Sequence, residues 1–79
     1  MNLCTAAIGS LTYTIKAQRA LERVGIGSHI VKLSASMTRR GCAYGLEFPA
    51  QELKTVRAVM SQEKISVSSY INGGGGELL

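Results

Sequence analysis

Seventy-nine residues make one domain near the lower limit for a self-sufficient core, and with 46% apolar residues but one Phe and three Tyr, aliphatic packing must supply most of the burial. Nine basic and five acidic residues give a net charge of +4, which suits an anionic partner or plain solubility. Two cysteines are too few for the disulfide framework of a small secreted domain, nothing in Met1 to Ser10 has the basic region of a signal peptide, and no stretch approaches the roughly 20 apolar residues of a membrane span, so a cytoplasmic chain with reduced thiols is expected.

The first element, Leu3 to Gly9, is short, apolar and uncharged, as a buried central strand would be. Ser10 then offers an N-cap for a helix running to about Val24, with Gly25 in the C-terminal capping place. Tyr13, Ala17, Ala20, Leu21 and Val24 fall on one face of that helix, opposite Lys16, Arg19, Glu22 and Arg23. Ser28 to Ser34 is rich in β-branched residues and reads as a strand, followed by a small, basic loop, "ASMTRRG". "CAYGLEF" alternates Cys42, Tyr44, Leu46 and Phe48 on one face with Ala43, Gly45 and Glu47 on the other.

Pro49 fits a first helical turn, and Leu53, Val56, Val59 and Met60 form the apolar stripe of the helix that follows. Ile65 to Ile71 reads as a last strand with Ile65, Val67 and Ile71 on one face; at a sheet edge it could pair with another copy of the chain. Residues 1–72 thus form one domain, and 73–79, "NGGGGELL" from its second residue, read as a flexible Gly-rich tail. The order β-α-β-β-α-β predicts an α+β, ferredoxin-like split unit, with an antiparallel sheet of order 4-1-3-2 and both helices on one face.

That topology places the thiols. The start of the third strand lies beside the end of the first, so Cys42 is expected near Gly9 and Ser10, at the unpaired N–H groups of the first helix. Arg39, Arg40 and Gly41 immediately precede it, and an electropositive setting of this kind lowers a thiol pKa from about 8.5 into the range of roughly 3.5–7.5. The residues leave two readings open for Cys42, a reactive thiolate or a small buried hydrophobe, just as the two arginines are either an anion-binding pair or a solvated loop. Cys4 and His29 belong at the far end of the sheet, which rules out a Cys4–Cys42 disulfide and a His29–Cys42 dyad.

Other chemistries fit poorly. "RGCAYGLE" partly matches the third-strand signature of RNA-recognition domains, yet its register would turn Gly45 and Glu47 to the core, and the first strand lacks a stacking aromatic. Nucleic acid is therefore not the expected partner. Cys4, Cys42 and His29 are too scattered for a closed metal site, and no cofactor is implied. The glycine run resembles the terminus of ubiquitin-like sulfur carriers, but Glu77, Leu78 and Leu79 follow it.

"SLTYTIKAQRALERVGIGSHIVKL" together with "TRRGCAYGLEF" resembles a family of small bacterial proteins known as selenium/sulfur carrier protein-like. The resemblance spans Ala6 to about Ile71, and its most specific part is the cysteine that opens the third strand of an apolar segment ending in Phe48. Many members carry Cys-Gly there, where this chain has Cys42-Ala43 after Gly41. The resemblance implies a ferredoxin-like fold and a non-enzymatic carrier role. In it Cys42 takes sulfur or selenium from a donor of the desulfurase or selenocysteine lyase type and hands it to an acceptor protein. The alternative is an interaction or regulatory module in which Cys42 is structural.

Overall fold

In a computed structural model of the chain, residues 2–33, 43–72 and 77–78 are described. The elements in chain order are β1 (Leu3–Gly9), α1 (Leu11–Arg23), β2 (His29–Leu33), β3 (Ala43–Pro49), a 3₁₀ turn (Ala50–Glu52), α2 (Leu53–Gln62), β4 (Ser69–Asn72) and β5 (Glu77–Leu78). They build an α+β domain with a sheet of order β4-β1-β3-β2-β5 in which every neighbouring pair is antiparallel. The expected 4-1-3-2 run is present, and β5 extends it. Glu77 and Leu78 fall in the stretch read as a tail, but they pair with Lys32 and Val31 of β2. The physical reason is that a sheet edge offers unpaired N–H and C=O groups, which an extended segment can satisfy whatever its side chains.

Both helices pack on one face of the sheet. Cys4, Ala6, Leu46 and Phe48 meet Ala17, Ala20 and Leu21 of α1 and Val56, Val59 and Met60 of α2 in one buried cluster. This is the β3 register that the alternation of apolar residues predicts. The opposite face is also dry at its centre: Ala7, Val31 and Leu33 are buried there with Ile71 packed against them, and Thr5 is fully buried. An uncharged β1 is what a strand buried on both faces requires.

Three expectations are corrected. On α1 the buried line is Thr14, Ala17, Ala20 and Leu21, while Tyr13 and Val24 are about half exposed (52% and 53%). Thr14 tolerates the core because its hydroxyl donates to the Ser10 carbonyl at 2.6 Å. Pro49 lies just before the first helical turn and not in it: it is the last residue of β3, opposite Leu3 with an extended backbone, and the N-cap of the 3₁₀ turn that leads into α2, while Ala50 still donates its N–H to Asn2 O at 3.0 Å. Ile71 does not share a face with Ile65 and Val67. Ile65 belongs to the end of α2, the strand begins only at Ser69, and Ile71 points to the second cluster while Tyr70 points to the first.

Both helices end in the same way. Gly25 (φ +82°) donates to Glu22 O and Ile26 to Leu21 O; Lys64 (φ +58°) donates to Ser61 O and Ile65 to Met60 O. Each is a Schellman closure with a buried isoleucine folded back over the last turn, but at α2 the left-handed position is held by lysine instead of glycine. At Gly45 the constraint is space. An added Cβ would lie 2.6 Å from the Ala6 carbonyl oxygen and 3.2 Å from Leu33 Cδ1.

Lys64→Gly should raise stability by up to about 1 kcal/mol, read as a higher urea midpoint at unchanged m-value, because the left-handed penalty of an L-residue is relieved. Gly45→Ala should lower stability by roughly 1–3 kcal/mol, since backbone and not a pliable side chain must yield; an unchanged midpoint would show that the strands separate freely.

Candidate functional site

The junction of β1 and α1 forms one pole of the sheet. Ser10, in an extended conformation, caps α1: its hydroxyl accepts from Tyr13 N–H at 3.5 Å and its carbonyl accepts from Thr14 N–H at 2.9 Å. The first turn of α1 contains no acidic residue, so the positive end of the helix dipole at this pole is not offset from within the helix. Gly9 lies opposite Tyr44, and the β1–β3 ladder shifts register around Ile8 to reach that pairing. Ala43 lies opposite Leu33. The start of β3 is therefore beside the end of β1, as the topology predicts. Gly9 and Ser10 are exposed there, with Leu11 (39%) and Tyr13 also reaching solvent on the same turn.

Of the residues read from sequence as a site, Gly9 and Ser10 come together at this pole. Cys42, Arg39, Arg40 and Gly41 lie outside the described residues, as does the loop that carries the arginines. Cys42 is covalently joined to Ala43, the first residue of β3.

Cys4 and His29 are at the other pole. Cys4 pairs with Phe48 on one side and Asn72 on the other, and its side chain is fully buried in the main core. Burial pushes its thiol pKa up, against a smaller lowering effect of a backbone hydrogen bond from Thr5. His29 is exposed opposite Glu47. Among the described residues no group of three or more His, Cys, Asp or Glu is placed to hold a metal ion, and no helix is long and apolar enough to cross a membrane.

A groove elsewhere on the domain was not legible as a site from the sequence. An open groove of about 440 Å³ is lined by Ala50, Gln51, Leu53, Lys54 and Arg57, on the flank of α2. The Arg57 guanidinium lies 5.9 Å from the centroid of the Tyr70 ring on β4, within cation–π range. Burial raises the Tyr70 pKa, Arg57 opposes the rise, and the nearby Cys4 adds to it. The spacing of Ala50, Lys54 and Arg57 marks one helix flank in the sequence, but only the crossover between β3 and β4 brings that flank to Tyr70.

Compared with protein-family models, with curated proteins and with solved structures, the chain matches none.

The buried thiol has a pH signature. Cys4 holds its proton to higher pH in the folded than in the unfolded chain, so its contribution is complete below the unfolded value of about 8.5 and is lost as pH rises through the folded value. Stability should therefore fall on going from pH 8 to pH 9.5, and Cys4→Ala should flatten that slope while lowering stability at every pH. Urea midpoints across this range measure both effects. An equal slope in the two proteins would mean that the loss arises elsewhere, since Tyr70 contributes with the same sign only above about pH 10.

Proposed function

We propose that the protein is a cytoplasmic carrier of sulfur or selenium that uses Cys42, on a ferredoxin-like βαββαβ domain of the selenium/sulfur carrier-like type. The observation that supports this is the pairing of Tyr44 with Gly9 beside the Ser10-capped start of α1. The chain enters β3 from Cys42 at the pole where helix N–H groups and a carboxylate-free first turn favour an anion. The burial of Cys4 supports it as well, because a thiol enclosed in the core with its pKa raised is a poor nucleophile.

In the proposed step, the Cys42 thiolate attacks the outer sulfur of a persulfide on the donor protein. The donor's S–S bond breaks, its cysteine leaves as a thiolate, and Cys42 becomes the persulfide. With selenium, the same attack leaves Cys42 as a selenosulfide. An acceptor protein's nucleophile then takes the outer atom and returns Cys42 as a thiolate. Arg39, Arg40 and the N–H groups near Gly9 and Ser10 would hold the charge on the transferred atom.

Reduced protein incubated with a cysteine desulfurase and cysteine should gain the mass of one sulfur, reversibly with dithiothreitol, and Cys42→Ser should abolish the gain while Cys4→Ala keeps it. Intact-mass spectrometry reads the result, and an adduct that survives Cys42→Ser would sink the proposal. The rate of iodoacetamide labelling at Cys42 should have its pH midpoint well below the free-thiol value of about 8.5; a midpoint at that value would favour the interaction-module reading instead.

A further inference from the structure

The two edges of the sheet are not alike. One is covered by the chain's own β5, paired with β2. The other is β4, Ser-Tyr-Ile-Asn, which bonds only to β1 among the described residues. Exposed edges are commonly blunted by lysine, proline or a bulge, and β4 carries no charge and no proline. Beside this edge runs the groove on the flank of α2, and Arg57 belongs to both: it lines the groove and lies over Tyr70 of β4. Among the described residues the groove is lined by two cations, Lys54 and Arg57, and by no carboxylate. Lys54 and Arg57 are exposed, and neither takes part in an ion pair with another described residue.

We propose that β4 and this groove together form a docking site for an extended, acidic segment of a partner protein. The segment adds antiparallel or parallel to β4 through its backbone, and carboxylates on alternate residues reach Lys54 and Arg57. Backbone pairing supplies affinity, and the side chains on the one face that meets α2 supply selectivity. A second copy of this chain fits the edge less well. Antiparallel β4–β4 pairing about a two-fold axis keeps both helical layers on the same face of the joined sheet. The Lys54–Arg57 flanks of the two copies would then confront one another as like charges. The site lies on the far side of β1 and α2 from the strand that Cys42 enters, so it does not rest on the carrier reading.

The test uses the full chain and a fluorescein-labelled peptide, Glu-Val-Glu-Val-Glu-Val, followed by anisotropy. Saturable, salt-weakened binding is expected, with Lys-Val-Lys-Val-Lys-Val at least about tenfold weaker. Arg57→Glu and Lys54→Glu, both surface changes checked by circular dichroism, should each weaken the acidic peptide by about tenfold and improve the basic one. N-methylation of alternate peptide residues should abolish binding in one phase and spare it in the other, because successive N–H groups of a strand point to opposite sides. Tolerance of both methylated phases would reduce the contact to unspecific charge and overturn strand addition. Equal binding of the acidic and basic peptides, or indifference to both substitutions, would overturn the groove's role. An unliganded chain that sediments as a dimer and binds the acidic peptide only once diluted to monomer, with the peptide no tighter than the second copy, would show a second copy on the edge and overturn the proposal.

Discussion

The antiparallel ladder between β1 and β3 is the contact on which the rest of the domain depends. It joins the two central strands, runs from Leu3 opposite Pro49 to Gly9 opposite Tyr44, and carries the core residues Cys4, Ala6, Leu46 and Phe48 on one face. Its closeness is fixed at Gly45, where the Ala6 carbonyl occupies the space that any side chain would need. Because side chains alternate across a strand, a slip of one residue would move Leu46 and Phe48 to the wrong face and bring Glu47 to the helices. The register is thus set by burial, and the position of every other element follows from it.

The two ends of that ladder differ chemically. At one end Cys4 is enclosed by both helices and the neighbouring strands, where low polarity favours the protonated form. At the other end the ladder stops beside a helix start, where the backbone itself presents positive partial charge. The fold thus protects one thiol, Cys4, and the carrier proposal assigns the reactive role to Cys42, the residue joined directly to the start of β3. That division gives the carrier proposal its physical basis.

The helical layer adds an asymmetry of its own. α1 packs chiefly over β3, and α2 sends Arg57 over Tyr70 of β4, the strand that pairs only with β1 among the described residues. The β5 pairing closes the other edge. A domain of this size gains from covering edges, since each unpaired backbone group near apolar surface is a standing invitation to association. The β4 edge combines backbone groups that pair only with β1 among the described residues with the charge of Arg57 beside Tyr70, which is what the docking proposal rests on.

Much of the fold was legible in the sequence because periodicity survives averaging over neighbours. The uncharged run of β1, the alternation in β3, the Ser10 cap and the Gly25 stop each depend on a few adjacent residues, and each is where the spacing placed it. The errors came where a hydrogen bond, near or distant in the chain, overrode the apolar pattern. Tyr13 and Val24 fit a helical stripe, but Thr14 took the core because its hydroxyl had a carbonyl to bond. Pro49 fit the first helical turn, but the bond from Ala50 to Asn2 keeps it at the end of β3, where it caps the turn instead. Glu77 and Leu78 showed no packing pattern, but β2 offered them backbone partners. For the candidate sites, the sequence by itself determined which side chains exist and that Cys4 belongs to the pole away from the start of α1, since strand order and alternation follow from local pattern. The apolar neighbours of Cys4 already pointed to its burial; only the tertiary structure decided that Arg57, on the lining of a groove, lies over Tyr70, because juxtaposition across a crossover connection depends on elements far apart in the chain.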